Sequence, residues 1–427
     1  MQFEKICVMG LGYIGLPTAS TFANQGKRVI GVDVDSHVVE TLKNGGLHLH
    51  EPGLRTLVQA ALASGNLTIS STPEAADAFI IAVPTPFYEN KKADMRAVKS
   101  AAKAIVPYLQ PGNLVILEST SPPRTTLDIV APILSGNGLK PGKDFYLAYS
   151  PERVLPGHIL REMIENARVI GGIDPASAEA GKALYSLISR GEIILTDSTT
   201  AEMVKLMENT YRDINIAIAN EFSRLGQRFG IDIWDAITIA NRHPRVKILQ
   251  PGPGVGGHCI SVDPWFLVEA APDLTQLIHT ARKVNDSQPQ FVVETMRQIV
   301  KDLKGCRVTG LGLAYKPDVD DIRESPAVEI VSQLAEAGAQ VTVFEPFKKV
   351  DGLAENIRQA GSLESALVDA DIIVLLVAHS QFLALTTADI ASQTRCRVLL
   401  DTVNGWRNQD WKTAGFNVYR LGVGKLA

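Results

Sequence analysis

The stretch from Ile6 to Asp33 constrains the fold more than any other part of the chain. Ile6-Cys7-Val8-Met9 is a short apolar run of the kind buried as a strand. It opens into Gly10-Leu11-Gly12-Tyr13-Ile14-Gly15, and Leu16 to Asn24 follow with helical character. A second apolar run, Arg28-Val29-Ile30-Gly31-Val32, ends in Asp33. Strand, glycine turn, helix and strand, with an acid about twenty residues after the glycines, make a dinucleotide-binding unit. Gly10 permits the tight turn, and Gly12 lets a pyrophosphate reach the free N–H groups at the helix start. Gly15 lets helix and strand pack closely, and Tyr13 and Ile14 complete the cofactor-binding turn. Asp33 is placed to accept hydrogen bonds from ribose hydroxyls, and its charge repels a 2′-phosphate. The expected cofactor is therefore NAD rather than NADP.

Three further apolar runs, Ala78–Val83, Leu114–Glu118 and Phe145–Tyr149, each end in a polar or proline-marked loop. Ligands of an open parallel sheet bind beyond the carboxyl ends of its strands. Thr85, Thr120, Glu152 and Arg153, all in those loops, are thus expected to line one crevice with the glycine turn. The pattern then starts again. Arg307–Leu313 echoes the first strand and turn, with Tyr315 in place of the third glycine. Gln340–Glu345 echoes the second strand and its acid, and Ala370–Val377 echoes Ala76–Val83. A second, degenerate nucleotide fold follows, which binds a different nucleotide-like ligand. Lys316 and Arg323 are its candidate phosphate contacts. A chain of 427 residues is too long for one core. The expected class is α/β, with two Rossmann-like doubly wound parallel-sheet domains joined by a central helical domain. The boundaries are residues 1–197 for the NAD-binding domain, 198–300 for the helical domain and 301–427 for the second nucleotide fold.

The central region opens on a long helix. Thr199-x-x-Glu202 reads as a capping box, apolar residues at helical spacing run to Phe229, and Gly230 ends it. A helix of this length offers a face for dimerisation. Lys205 and Asn209 are four apart and share one face. Alone, Lys205 reads as a solvated lysine. Arg212, Asp213, Asn215 and Asn220 on the same mostly apolar helix point instead to a polar site. Asp273 to Asp302 reads as helical.

Between these helices lies Pro251-Gly252-Pro253-Gly254-Val255-Gly256-Gly257-His258-Cys259, followed by Asp263-Pro264-Trp265. Four glycines and two prolines in seven residues abandon helix and strand and allow a close approach to a ligand. A cysteine that only fills core more often sits in an apolar strand or helix. This one has a histidine beside it and a carboxylate four residues on. Cys7, Cys306 and Cys396 are distant and form no CxxC pair, so neither a metal site nor a disulfide framework is expected. Reduced thiols suit a cytoplasmic protein. The N-terminus runs straight into a strand rather than a signal peptide, and no apolar run has the length of a membrane span. A net charge of −4 gives no global pull toward nucleic acid or an anionic membrane.

A nicotinamide site and a thiol together imply more than one oxidation. An alcohol oxidised to an aldehyde can add a thiolate, give a thiohemiacetal, and be oxidised again to a thioester that water opens to the acid. Two NAD⁺ are used per substrate, and Lys205 and Asn209 supply donors for the oxyanion. A cysteine hydrolase built on His258-Cys259 is disfavoured, because adjacent residues point apart. A nucleotide sensor has no need of Cys259 with Lys205. An enzyme that oxidises a hydroxy acid once has no use for the cysteine loop.

These residues resemble the UDP-sugar 6-dehydrogenase family along the whole chain. The likeness rests on Val8–Pro17, Val83–Pro86, Glu118–Thr120, Ser150–Arg153, Ala201–Asn209, Gly256–Cys259 and Lys316–Pro326. The cysteine loop, with Asn241–Arg245 and Leu249–Pro253, is most similar to the branch acting on N-acetylated sugars. The UDP-glucose branch usually has another residue in place of His258. The resemblance implies a UDP-N-acetylhexosamine substrate, UDP-N-acetyl-D-mannosamine first, with UDP-N-acetylglucosamine or UDP-glucose as alternatives. It implies Cys259 as nucleophile, Lys205 and Asn209 as oxyanion donors, and Asp263 in proton and water handling. Thr120 and Glu152 position water. Gly256, Gly257, His258, Arg153 and Lys316 are implied at the sugar nucleotide, with Arg245 reaching it across a homodimer. Arg323 is implied at the cofactor or the substrate phosphates. One departure is Pro156, which stands where UDP-glucose members often carry a second glutamate.

Overall fold

The structure, a computed structural model, describes residues 2–49 and 51–424. The chain divides into two compact units. The first runs to Glu208 and takes in Trp265–Pro272; the second comprises Asn209–Pro264 and the chain from Asp273 on.

The first unit is built on an eight-stranded sheet. Its strands are β1 (Lys5–Met9), β2 (Arg28–Val32), β3 (Leu67–Ser70), β4 (Ala78–Ile81), β5 (Leu114–Leu117), β6 (Tyr146–Tyr149), β7 (Arg168–Gly172) and β8 (Ile193–Asp197). The order is β3-β2-β1-β4-β5-β6-β7-β8, parallel except where β6 meets β7. β1 lies between β2 and β4, and Met9 pairs with both Val32 and Ile81. The central strands are apolar throughout because the sheet is covered on both faces. Alternate residues feed two cores: Ile6, Val8 and Ile80 join one, and Cys7, Met9, Phe79 and Ile81 the other.

The second unit holds a six-stranded, all-parallel sheet. Its strands are β9 (Arg307–Leu311), β10 (Gln340–Phe344), β11 (Ile357–Gln359), β12 (Ile372–Leu375), β13 (Val398–Asp401) and β14 (Asn417–Arg420). Its order, β11-β10-β9-β12-β13-β14, repeats that of the first six strands. The internal echo read from sequence is thus a repeated topology. Gly10 and Gly312 occupy equivalent turns at φ +93° and +90°. A Cβ on either would stand 2.5 Å from the neighbouring strand's exit, at the Ala82 oxygen and Val377 Cβ respectively. The two copies then diverge. In the first, a helix (Gly15–Asn24) starts at the third glycine. In the second, the helix (Pro326–Glu336) waits until after Ser325, whose hydroxyl caps Ala327 N–H at 3.2 Å.

The long helix spans Ser198–Phe229, and Gly230 ends it at φ +75°. Its start corrects the capping box expected at Thr199 and Glu202. Asp197 is the cap, accepting from Thr200 N–H at 2.9 Å and from the Thr200 hydroxyl at 2.6 Å. Glu202 is fully buried and turns to another segment. It accepts from the amides of Arg124 (2.5 Å) and Thr126 (2.8 Å) and from the Thr126 hydroxyl (2.7 Å). The helical stretch expected from Asp273 to Asp302 is two helices, Gln276–Asp286 and Gln288–Val300, separated by Ser287. Among the described residues, no helix is long and apolar enough to cross a membrane.

Candidate active site

The first glycine turn has the form a dinucleotide needs. A Cβ on Gly15 would collide with the Gly10 carbonyl, so only glycine lets the helix begin there. A Cβ on Gly12 would meet nothing within 4 Å, which leaves the approach over that residue clear. The helix has no acidic residue in its first turn and no side-chain cap at Ile14, so its N–H groups and dipole favour an anion. Asp33, beyond β2, accepts Leu11 N–H at 2.8 Å and Asp35 N–H at 3.0 Å. A carboxylate has further acceptor sites for ribose hydroxyls. These residues fit NAD.

The loops beyond β4, β5 and β6 are tied together. The Thr85 hydroxyl donates to the Thr120 carbonyl at 2.7 Å, and the Ser119 hydroxyl to that of Val83 at 2.7 Å. Lys205, expected at the site, is buried, and its Nζ donates to the Glu152 carbonyl at 2.8 Å. The structure therefore joins two of the expected site residues, 53 apart in sequence. Arg153 pairs with Glu208 and donates to the Ala167 carbonyl at 3.0 Å.

Behind Glu152 lies a buried cluster that sequence reasoning missed. Arg168 Nη2 donates to Glu152 Oε2 at 2.6 Å, while Nη1 is 3.5 Å from Glu118 Oε1 and 3.3 Å from the Ser150 hydroxyl. The Tyr185 hydroxyl donates to Glu118 Oε1 at 2.9 Å, and the guanidinium stacks 4.1 Å from the Tyr185 ring centre. Burial pushes the Glu118 carboxyl up to about 7; Arg168 opposes the shift and the charge on Glu152 adds to it. The available signal was Arg168 itself, a cation opening the apolar run Val169-Ile170-Gly171-Gly172.

In the second unit, Cys259 ends the glycine-rich loop and is half-buried. Its carbonyl accepts from the amides of Val262 (3.0 Å) and Asp263 (2.8 Å), where the helix Asp263–Ala270 begins. Asn209 Nδ2 donates to Asp263 Oδ2 at 2.6 Å, and both side chains are buried. Cys259, Asp263 and Asn209 thus form one connected group. The other thiols are held protonated by burial, Cys7 up to about 12 and Cys306 up to about 11.

The loop's glycines have an occupant within the chain. A Cβ on Gly254 would stand 2.9 Å from Pro326 Cβ, and one on Gly257 2.7 Å from the Tyr315 ring. Gly257 N–H donates to the Arg323 carbonyl at 3.0 Å. His258 meets the Tyr315 ring edge-on and lies 3.2 Å from Arg323 Nη2. Arg323 also forms a two-point pair with Asp321 at 2.9 and 2.5 Å. Lys316 Nζ sits 5.8 Å from the Tyr315 ring centre. The cysteine loop therefore packs on the segment expected to hold phosphate. Arg245 is exposed in its own loop. The polar stripe of the long helix serves that loop: Asn215 accepts Leu249 N–H and Asn220 accepts Gly252 N–H, both at 2.9 Å.

Residues 4–189 match the NAD binding domain of the UDP-glucose/GDP-mannose dehydrogenase family, residues 199–287 its central domain, and residues 309–408 its UDP binding domain. The chain belongs to this family. Its first domain is accordingly an NAD binding domain, and the protein is an NAD-dependent dehydrogenase. The UDP-N-acetyl-D-mannosamine dehydrogenase of Methanocaldococcus jannaschii is 49% identical over 430 residues, covering 99% of this chain and 98% of its own. The NDP-N-acetyl-D-galactosaminuronic acid dehydrogenase of Ralstonia nicotianae is 49% identical over 414 residues, covering 95% of this chain and 97% of its own. The solved UDP-N-acetyl-mannosamine dehydrogenase of Staphylococcus aureus has a TM-score of 0.88 at 44% identity, with 98% of each chain covered.

Proposed function

We propose that this dehydrogenase oxidises C6 of UDP-N-acetyl-D-mannosamine to the uronate, for surface polysaccharide synthesis in the cytoplasm. The observation that carries the chemistry is the Cys259 group. A half-buried thiol at the end of a glycine-rich loop shares its turn with Asp263, which is itself hydrogen-bonded to Asn209. The choice of sugar rests on full-length relatives named for it.

Bound NAD⁺ supplies a hydride acceptor for each of the two oxidations. The chain supplies the remainder, in the roles that the family resemblance gives. Cys259 Sγ, as thiolate, forms the bond to the aldehyde carbon, and the carbonyl electron pair moves onto oxygen. Lys205 and Asn209 donate to that oxyanion. Water held by Thr120 and Glu152 opens the resulting thioester, gives the acid and releases the thiolate; Asp263 takes part in moving the protons. Lys316, His258 and the loop glycines Gly256 and Gly257 belong to sugar-nucleotide binding, with Arg153, Arg245 and Arg323 in charge recognition.

A second reading is favoured by one observation. The relative named for N-acetyl-D-galactosaminuronic acid is as similar as the one named for the mannosamine sugar. The test counts NADH per sugar with the UDP-linked N-acetyl sugars of manno, galacto and gluco configuration. Two NADH with the manno sugar, at the highest kcat/KM, is the expected result. One NADH with aldehyde as final product would sink the two-step chemistry, and preference for another epimer would sink the substrate.

A homodimer through the long helix goes with this reading. Tyr211, Ile218, Leu225 and Phe229 are 61%, 42%, 42% and 70% exposed at spacings of seven, seven and four, an apolar stripe along one side. Sedimentation of the wild type at twice the monomer mass, and of an I218K/L225K variant at the monomer mass, is expected. A monomeric wild type would refute the dimer.

A further inference from the structure

The buried cluster behind Glu152 has no part in the roles above. Arg168 opens β7, Glu118 follows β5, and Tyr185 closes the helix Pro175–Tyr185. One guanidinium faces two carboxylates. The Glu118 side chain is wholly buried, and its Oε2 has no hydrogen-bond partner among the described residues. A second full negative charge there is costly. Arg168 stands closer to Glu152 (2.6 Å) than to Glu118 (3.5 Å), which is the arrangement of an ion pair beside a neutral acid.

We propose that Glu118 is a positioning residue for Glu152: both carboxyls share Arg168, so the protonation state of Glu118 sets how strongly Glu152 holds a proton. The proposal rests on the role given to Glu152 above. The groups facing Glu118 are Arg168 from β7, Tyr185 from its helix, and Glu152 from the loop beyond β6. Ser150 joins Arg168 from the same loop, and Lys205 reaches the Glu152 carbonyl rather than its carboxylate. When Glu118 ionises it draws the guanidinium toward itself and adds a like charge near Glu152. Both effects favour proton uptake at the Glu152 carboxylate. The Tyr185 hydroxyl stabilises the charged form of Glu118, so its removal shifts that ionisation to higher pH.

The experiment measures kcat and KM against pH for wild type, E118Q, Y185F and E152Q, with thermal melts of each. Wild-type kcat is expected to rise through an ionisation in the neutral range. E118Q lacks that rise and stays roughly three- to tenfold lower above it. Both KM values stay within about twofold of wild type, as a change confined to proton transfer requires. Y185F keeps the rise at higher pH. A merely structural role would lower the melting temperature and leave the profile's shape alone. A wild-type profile in E118Q, or an unshifted one in Y185F, overturns the proposal. If E118Q does not fold, the Y185F shift decides. Full turnover by E152Q would remove the role of Glu152 itself. Loss of turnover in E152Q with an unchanged E118Q profile removes only the coupling.

Discussion

Gly256→Ala tests how tightly the cysteine loop is held. The backbone at Gly256 is not in the left-handed region, so an alanine there meets a purely spatial obstacle. Its Cβ would stand 2.7 Å from Pro326 Cδ and 3.0 Å from Tyr315 Cβ, and closer still to the Glu324 carbonyl oxygen. Ordinary contact begins at 3.4 Å, so the loop and the Tyr315–Pro326 segment must part by about 1 Å. Neither a carbonyl nor a proline ring yields as the end of a flexible side chain does. Overpacking of this kind costs about 1–3 kcal/mol, or about 2–12 °C in melting temperature at about 2–4 °C per kcal/mol for a unit of this size. Cys259 is three residues on, and a displacement of about 1 Å at a reacting group lowers kcat roughly 100-fold. Gly252→Ala is the control, because a Cβ there meets nothing within 4 Å. The assay is NADH production with thermal melts of both variants. If G256A matches G252A in kcat and in melting temperature, the loop is not clamped by that segment.

Glu202→Ala leaves the buried Thr126 amide and hydroxyl and the half-buried Arg124 amide without their acceptor, and should cost about 2–4 kcal/mol in urea unfolding; a loss under about 0.5 kcal/mol would contradict the bonding described. Asp33→Ser removes the ribose acceptor and the charge that opposes a 2′-phosphate, so the preference for NAD⁺ over NADP⁺ in kcat/KM should fall at least about tenfold. An unchanged ratio counts against Asp33. For Glu118 the folded state holds its proton more strongly than the unfolded chain does. Its contribution to stability is therefore complete below about 4.5 and is lost as pH rises toward about 7. E118Q has no such loss, so its melting temperature should gain on wild type between pH 5 and pH 8, and a constant gap would argue against the raised affinity.

Much of the fold was legible because its signals are local. Apolar runs ending in glycine turns mark parallel strands, and the acid after β2 follows from chain spacing alone. The echo of Ile6–Asp33 at Arg307–Glu345 became the same strand order in a second sheet. In the second copy the acid is used differently. Glu345 is buried and accepts from the amides of Leu313 (2.7 Å) and Ala314 (3.0 Å), with His379 at 3.2 Å. Burial alone would raise its carboxyl, but these hydrogen bonds outweigh that and hold it below its ordinary value. Tyr315 in place of a glycine announced the divergence; His379, 34 residues from Glu345, did not.

The class of the chain is written in local sequence: two nucleotide folds, a long helix and a thiol at the end of a glycine-rich loop. These follow from the period of apolar residues and from glycines where a Cβ cannot fit, which are properties of short segments. The tertiary structure alone decided partners. It took Glu202 from a capping role to the Arg124–Thr126 turn and packed the loop glycines against Tyr315 and Pro326. It also set Arg168 between Glu118 and Glu152. Those pairings join residues 16 to 78 positions apart, and they depend on strand order and on where charge is buried, which no local pattern encodes.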